Sequence, residues 1–343
     1  MKKHLMTVLF FLGSIVGYSQ SQVKIIHSEF IFDQVPFEEC HASTLVELSN
    51  GAIMAAWFGG EYERHPNVAI WTAKRGEGGW TFPEKVADGK VNDTLSYPTW
   101  NPVLFKLSTD ELMLFYKEGP SPQTWWGRYK TSSDQGKTWS KSVKLPDGFL
   151  GPIKNKPIQL ANGTVLSPSS VEDGKGWRAH IEISKDLGKR WKKVDIDQGG
   201  EYDVIQPSIL EHADGRLQVL CRSKQDYIIT AWSSDQGASW TPLEKTKVLN
   251  PNSGTDAVTL SNGKFLLVYN PTASGEHWSD GRNELRLAMS DDGVNWEDIY
   301  TLEKEAEGEF SYPAIIQGAN GEVHISYTWK RKRIKYLKLE LKE

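Results

Sequence analysis

The sequence predicts an all-β fold, a six-bladed β-propeller, on three observations. An octet, Ser-x-Asp-x-Gly-x-x-Trp, recurs at Ser132–Trp139, Ser184–Trp191 and Ser233–Trp240; a weaker copy runs from Met289 through Asp291 and Gly293 to Trp296, and a degenerate one ends at Trp80. A second repeat, a short polar turn leading into an apolar run, interleaves with the first. Almost no amphipathic pattern of helical period accompanies them, so helices are not expected. The octet tryptophans lie 49 to 59 residues apart, and a sustained period of that length marks stacked supersecondary units rather than a sandwich with chance turns.

The turns give the blade count. Asn50-Gly51 precedes Ala-Ile-Met-Ala-Ala-Trp in blade one, Asp110-Glu111 precedes Leu-Met-Leu-Phe-Tyr in blade two, and Asn162-Gly163 serves blade three. Asp214-Gly215, Asn262-Gly263 and Asn320-Gly321 introduce the apolar runs of blades four, five and six. Asn-Gly and Asp-Gly favour the two-residue type I′ turn, in which both central residues take positive φ. Six such hairpins imply six four-stranded blades. In the octet, Asp accepts backbone N–H bonds across a tight hairpin, Gly takes the left-handed position and Trp packs between strands. The octet is therefore expected to staple the fold, away from the chemistry.

Composition narrows the function. The chain has 343 residues, 14 Trp, 2 Cys, a formal charge of -4 and a pI near 6.1. There is no overall basic field, so neither nucleic acid nor an anionic membrane is an expected partner. Two cysteines cannot make a four-ligand zinc site, and no His-x-x-x-His or Cys-x-x-Cys spacing occurs, so no metal or cofactor is expected. Met1-Lys2-Lys3-His4 followed by the apolar run Leu5 to Gly17 reads as a secretory signal, cut after Ser19. Residues 1–19 are thus expected to be removed. Residues 20–343 should then form one catalytic propeller, exported to the periplasm or beyond without a membrane anchor and acting as a monomer. Cys40 and Cys221 are open to a disulfide or to two buried thiols. The Lys330-Arg-Lys-Arg333 run is expected to be a solvated edge.

Innermost propeller strands converge on the axis, so polar groups at matching strand starts are the site candidates. They are His41 in blade one, with Arg64-His65-Pro66-Asn67 after its next strand; Tyr97-Pro-Thr-Trp100-Asn101-Pro in blade two; and Lys154-Asn155-Lys156-Pro157 in blade three. Blade four offers Gln206-Pro-Ser and Arg222, blade five Asn252-Ser-Gly-Thr-Asp256 and Arg282, and blade six Ser311-Tyr312-Pro313. Trp100 and Trp125 lie outside any octet and suit stacking on a sugar ring.

The octets and their period resemble the BNR/Asp-box repeat proteins of the sialidase superfamily over nearly the whole mature chain. The resemblance implies three arginines on a substrate carboxylate, a Tyr nucleophile assisted by Glu, and an Asp acid/base. Arg222 looks like the second arginine, Arg282 the third and Tyr312 the nucleophile. His41, in Cys40-His-Ala-Ser, stands where the first arginine belongs, and Gln206 stands where the assisting Glu belongs. Arg64-His65-Pro66-Asn67 lies near the place of the missing Asp.

These departures point to other chemistry. Gln cannot take a proton from Tyr312, whereas His can shuttle protons near neutral pH. A carboxylate clamp beside His41 and Tyr312 suits β-elimination at a terminal uronic acid, one residue removing the C5 proton and the other protonating the departing oxygen at C4. The expected substrate is an acidic, uronate-containing, potentially sulfated oligosaccharide, bound by Arg64, Arg222, Arg282, Gln206, Lys154, Asn155, Asp256, Trp100 and Trp125, with His65 as a further catalytic candidate. A C4 sugar would make the enzyme a lyase and a C4 hydroxyl a dehydratase. In this the chain resembles propeller enzymes acting on uronate-rich polysaccharides such as ulvan. The alternatives are an exo-sialidase-like hydrolase and a non-catalytic glycan-binding propeller.

Overall fold

The computed structural model describes residues 22–186, 188–196 and 200–342, so the expected signal segment 1–19 lies outside the described residues. Six antiparallel sheets form the blades, and no helix occurs among the described residues. The innermost strands are Glu39–Glu47, Thr99–Lys106, Ile158–Gln159, Val204–Glu211, Asp256–Thr259 and Phe310–Gln317. The ring closes by pairing ends. Val23–Phe30 is the outermost strand of blade six, antiparallel to Arg333–Leu341.

The hairpins form where the sequence places them, with a different turn. In blade one Gly51 N–H donates to Leu48 O and Leu48 N–H to Ala52 O, and only Gly51 of the loop has positive φ. This is a three-residue loop, a type I turn closed by a left-handed residue, and not the expected type I′. Asn50 is spared the left-handed conformation because its Oδ1 accepts the Ala52 N–H in an Asx turn. Blades three to six repeat the bonding, and in blade two Asp110, at φ 67°, takes the glycine place.

The octets are staples. Ser132 Oγ accepts the Gly136 N–H at 2.8 Å and donates to Asp134 Oδ1 at 2.7 Å, while Asp134 accepts the Thr138 amide at 2.9 Å and hydroxyl at 2.6 Å. Ser184 and Ser233 repeat the pattern. The fourth copy is corrected by one residue. Ser290 and Asp292, not Met289 and Asp291, make its bonds, because the loop before Gly293 is one residue shorter. Each octet tryptophan plugs the seam to the preceding blade: Trp139 packs beside Met54 and Leu114, Trp191 beside Met113 and Phe115, Trp240 beside Leu166, and Trp296 beside Leu210. Trp80 fills the seam between blades six and one, edge-on to Tyr336. Cys40 belongs to that same seam and Cys221 to the seam of blades three and four, so both are buried thiols and no disulfide joins them.

One further repeat builds the axis. Each blade carries one left-handed non-glycine residue at the entry to its innermost strand: Ala42, Asn101, Lys154, Gln206, Asn252 and Tyr312, with φ between 40° and 68°. In blades one, two, four and six the strand register slips at this point. An extra residue bends the strand and re-aims a side chain. Each such residue costs roughly 1–2 kcal/mol of backbone strain, tolerated where function demands it.

Candidate active site

These six entries converge beneath a cleft of about 600 Å³ lined by residues of all six blades, which places it on the ring axis. Tyr312 lies at its centre. Arg222 Nη1 donates to the Tyr312 hydroxyl oxygen at 2.6 Å, and the Gln206 amide nitrogen lies 3.5 Å from the same oxygen. Gln206 Oε1 in turn faces Arg222 Nη1 at 3.4 Å, and Arg222 Nε donates to Asn252 Oδ1 at 2.8 Å. The left-handed turns of blades four, five and six thus hold one phenol against one guanidinium.

Two more guanidiniums share the cleft. Arg282 donates to Asn252 O at 3.0 Å and to Glu309 at 3.3 Å. Arg331 binds Glu309 at 2.8 Å and Glu63 at 2.5 Å. Burial works against the charge on Glu309, but Arg331 and then Arg282 outweigh it and hold the carboxyl below its usual range. The same burial, reinforced by Arg222, lowers the pKa of Arg282. Trp278 lies over both Arg282 and Arg331, 5.0 Å from each, with 64% of its surface exposed. Trp177 faces Arg222 at 5.3 Å and Lys224 at 4.6 Å.

Of the residues singled out in the sequence, Arg222, Arg282, Gln206, Tyr312, Arg64, Trp100 and Trp125 line the cleft together. Trp100 is 2% exposed and Trp125 8%, the Trp100 indole N–H bonded to Gly119 O and the two rings packed in a T-shaped pair, so little of either ring is open to the space. Arg64 is left-handed at φ 82° and its side chain makes no ion pair or hydrogen bond to the described residues.

Others are displaced. His41 lies behind Tyr312, ring centroids 4.1 Å apart, at 3% exposure; its Nδ1 is buried without a hydrogen-bond partner among the described residues. Burial, then Arg331, Arg282, Arg222 and Lys154, push its pKa well below the ordinary value, so it is neutral and out of direct reach of the cleft. His65 sits outside, beside Glu61 at 3.3 Å and accepting the Asn67 N–H. Lys154 fills the axis below the cleft and donates to Asn155 Oδ1, Thr255 O and Pro313 O at 2.6–2.8 Å. Burial pushes its pKa down to about 7, yet three acceptors match the three donors of the ammonium form. Asn155 donates to Gln206 O. Asp256 pairs with Lys156 at 2.9 Å and accepts from Ser208 and Ile315. Lys154, Asn155 and Asp256 therefore brace the strand entries from beneath and do not line the cleft.

The sequence argument missed Arg331, Glu63, Glu172, Trp177 and Trp278. Arg331 is no solvated edge, for the hairpin turn at Lys330 and Arg331, both left-handed, carries it inward over Glu309. Counting strands from each Asn-Gly turn would have found it. Glu172 ends the second strand of its blade and Arg331 lies in the turn just after the second strand of its own, on the same rim as Arg222.

A six-bladed propeller with an arginine cluster and a tyrosine in its axial cleft is of the sialidase-like class. Residues 51–325 match the BNR repeat-like domain, and the chain belongs to that family. A sialidase of Bacteroides fragilis (strain YCH46) is 23% identical over 229 residues, covering 62% of this chain and 41% of that protein, so the chain spans less than half the length of that relative. Among solved structures, a protein of unknown function from Dyadobacter fermentans superimposes with a TM-score of 0.75 at 18% identity, over 94% of this chain and all of that one. The NanB sialidase of Streptococcus pneumoniae gives 0.74 at 12% identity, over 92% and 70% of the two chains. A leech intramolecular trans-sialidase gives 0.73 at 14%, over 91% and 70%. At such identities the likeness is one of fold.

Proposed function

We propose that the chain is a carbohydrate-active enzyme that grips the carboxylate of a terminal uronic acid and eliminates its C4 substituent. The observation that carries this is the surroundings of Tyr312: its oxygen meets Arg222 and the Gln206 amide, and no carboxylate hydrogen-bonds to it among the described residues. A tyrosine so placed lacks the base that would make it a glycosidase nucleophile. Arg222, Arg282 and Arg331 would neutralise the sugar carboxylate, which makes the neighbouring C5 proton easier to remove and stabilises the charge that develops. Tyr312, held against the clamp by Arg222, would take that proton, acting as its phenolate. The C5–H electron pair becomes the C4=C5 double bond as the C4–O bond breaks, and the departing oxygen takes up a proton. His41, behind the phenol, would support the Tyr312 ring and not touch substrate.

The test is incubation with uronate-terminated oligosaccharides, followed by ultraviolet absorbance of the conjugated double bond and by product mass. Absorbance without chain shortening indicates dehydration, and with shortening a lyase. The same three arginines would also suit a sialidase-type hydrolysis. Release of free acidic sugar without absorbance would put that reaction in place of elimination.

A further inference from the structure

Elimination needs a second proton-transfer group, because the leaving oxygen must be protonated as its bond to C4 breaks. Three glutamates line the cleft: Glu63 is tied to Arg331, Glu276 is exposed to solvent, and Glu172 is neither. Glu172 lines the cleft at the end of the strand Val165–Asp173, and its carboxylate has no ion pair or hydrogen bond to the described residues. Its position is nevertheless well defined. It pairs in register with Trp177, whose ring faces Arg222, and Arg222 holds the Tyr312 hydroxyl at 2.6 Å. Glu172 and Tyr312 thus line one cleft, Glu172 in register with Trp177 and both rings, of Trp177 and Tyr312, against the same guanidinium.

We infer that Glu172 is the general acid, delivering its proton to the C4 oxygen while Tyr312 takes the proton from C5. This rests on the elimination proposed above. The C5–H pair forms the double bond, the C4–O pair leaves with oxygen, and the Glu172 proton completes a hydroxyl or water. Tyr312 enters the step as the phenolate and ends it as the phenol, while Glu172 enters protonated and ends ionised; exchange with solvent resets both. Burial raises the Glu172 pKa and Glu63 adds to the rise, against Arg222 and Lys224, so the carboxyl keeps its proton to higher pH than a solvated one, as an acid should.

The test compares Glu172→Gln with wild type on two uronides, one with a sugar at C4 and one with 4-nitrophenoxide, which departs without a proton. General acid catalysis contributes about 10²–10⁴-fold, so kcat on the glycosyl substrate should fall at least about 100-fold while the nitrophenyl substrate loses less than about tenfold, with KM little changed on either. The alkaline limb of the kcat pH profile should vanish in Glu172→Gln and persist in Glu172→Asp, which also guards against a folding defect. Equal losses on both substrates, or no loss, overturn the assignment of Glu172 alone. Absence of unsaturated product from wild type on both substrates overturns elimination itself, and the role of Glu172 with it.

Discussion

Gln206→Glu puts a carboxylate where an amide now faces both Arg222 and Tyr312. The new oxygens would lie about where the amide atoms are, 3.4 Å from Arg222 Nη1 and 3.5 Å from the Tyr312 oxygen. Unit charges about 4 Å apart interact by about 4 kcal/mol at an effective dielectric near 20, and cleft water weakens this further. The substrate carboxylate would then compete with a resident anion for Arg222, at a loss of about 1–2 kcal/mol, or roughly five- to thirty-fold in KM. The penalty belongs to the ionised form, so it should be full at neutral pH and shrink as falling pH protonates the new carboxyl. Steady-state kinetics on a uronate-terminated oligosaccharide between pH 4 and 8, read by ultraviolet absorbance, measures it. Unchanged KM, or a variant that gains hydrolysis of sialosides at full affinity, would refute the reasoning, because it would mean that Gln206 replaces a catalytic base and does nothing else.

Other outcomes follow from the same geometry. Gly254→Ala should lower kcat/KM by about ten- to a hundredfold with little change in melting temperature, since its Cβ would come 2.8 Å from Lys154 Cε and 3.2 Å from Tyr312 Cδ2 and so shift the phenol. The His41 ring should stay neutral from pH 5 to 8 in nitrogen-15 NMR, because its folded pKa is depressed by burial and four cations; protonation above pH 6 would contradict the buried position. Asp134, Asp186, Asp235 and Asp292 are all held below the usual carboxylate range by hydrogen bonds within the octets. Their folded pKa values are lowered, so their contribution is present above the unfolded value of about 3.9 and is lost as pH falls through the folded values. Calorimetry should show the melting temperature dropping steeply below about pH 4 and little changed between pH 5 and 7.

The fold was legible because each blade writes it again. Ser132, Ser184 and Ser233 with their aspartates, glycines and tryptophans announce the hairpins, and the Asn-Gly turns count them. Small errors came from one-residue geometry: Ser290 replaces Met289 because a loop is shorter, and Gly51 alone takes positive φ because Asn50 caps its own turn. The site was legible where a residue stands at a strand entry, as Tyr312 and Gln206 do. It was illegible where depth decides. His41 and Tyr312 are both at strand entries, but Ala42, not His41, holds the left-handed position, so the imidazole falls behind the ring. Nor does a basic run such as Lys330–Arg333 show in its letters which cation turns inward; that depends on the acid, Glu309, waiting beneath Arg331.

The pairing of Val23–Phe30 with Arg333–Leu341 sets the order in which the molecule can be made. Lys24 precedes its partner Glu340 by 316 residues, so the early strand must wait, unpaired, until the late one has emerged. Contacts of such sequence separation are slow to form and leave strand edges open in the meantime. Blades can fold one by one as their hairpins appear, but blade six is complete only when that early strand docks. Tyr312 and Arg331 both belong to blade six, so the cleft would gain its phenol and one of its arginines in settled form only at ring closure. An incompletely made chain would then hold most of a propeller and little of a working site.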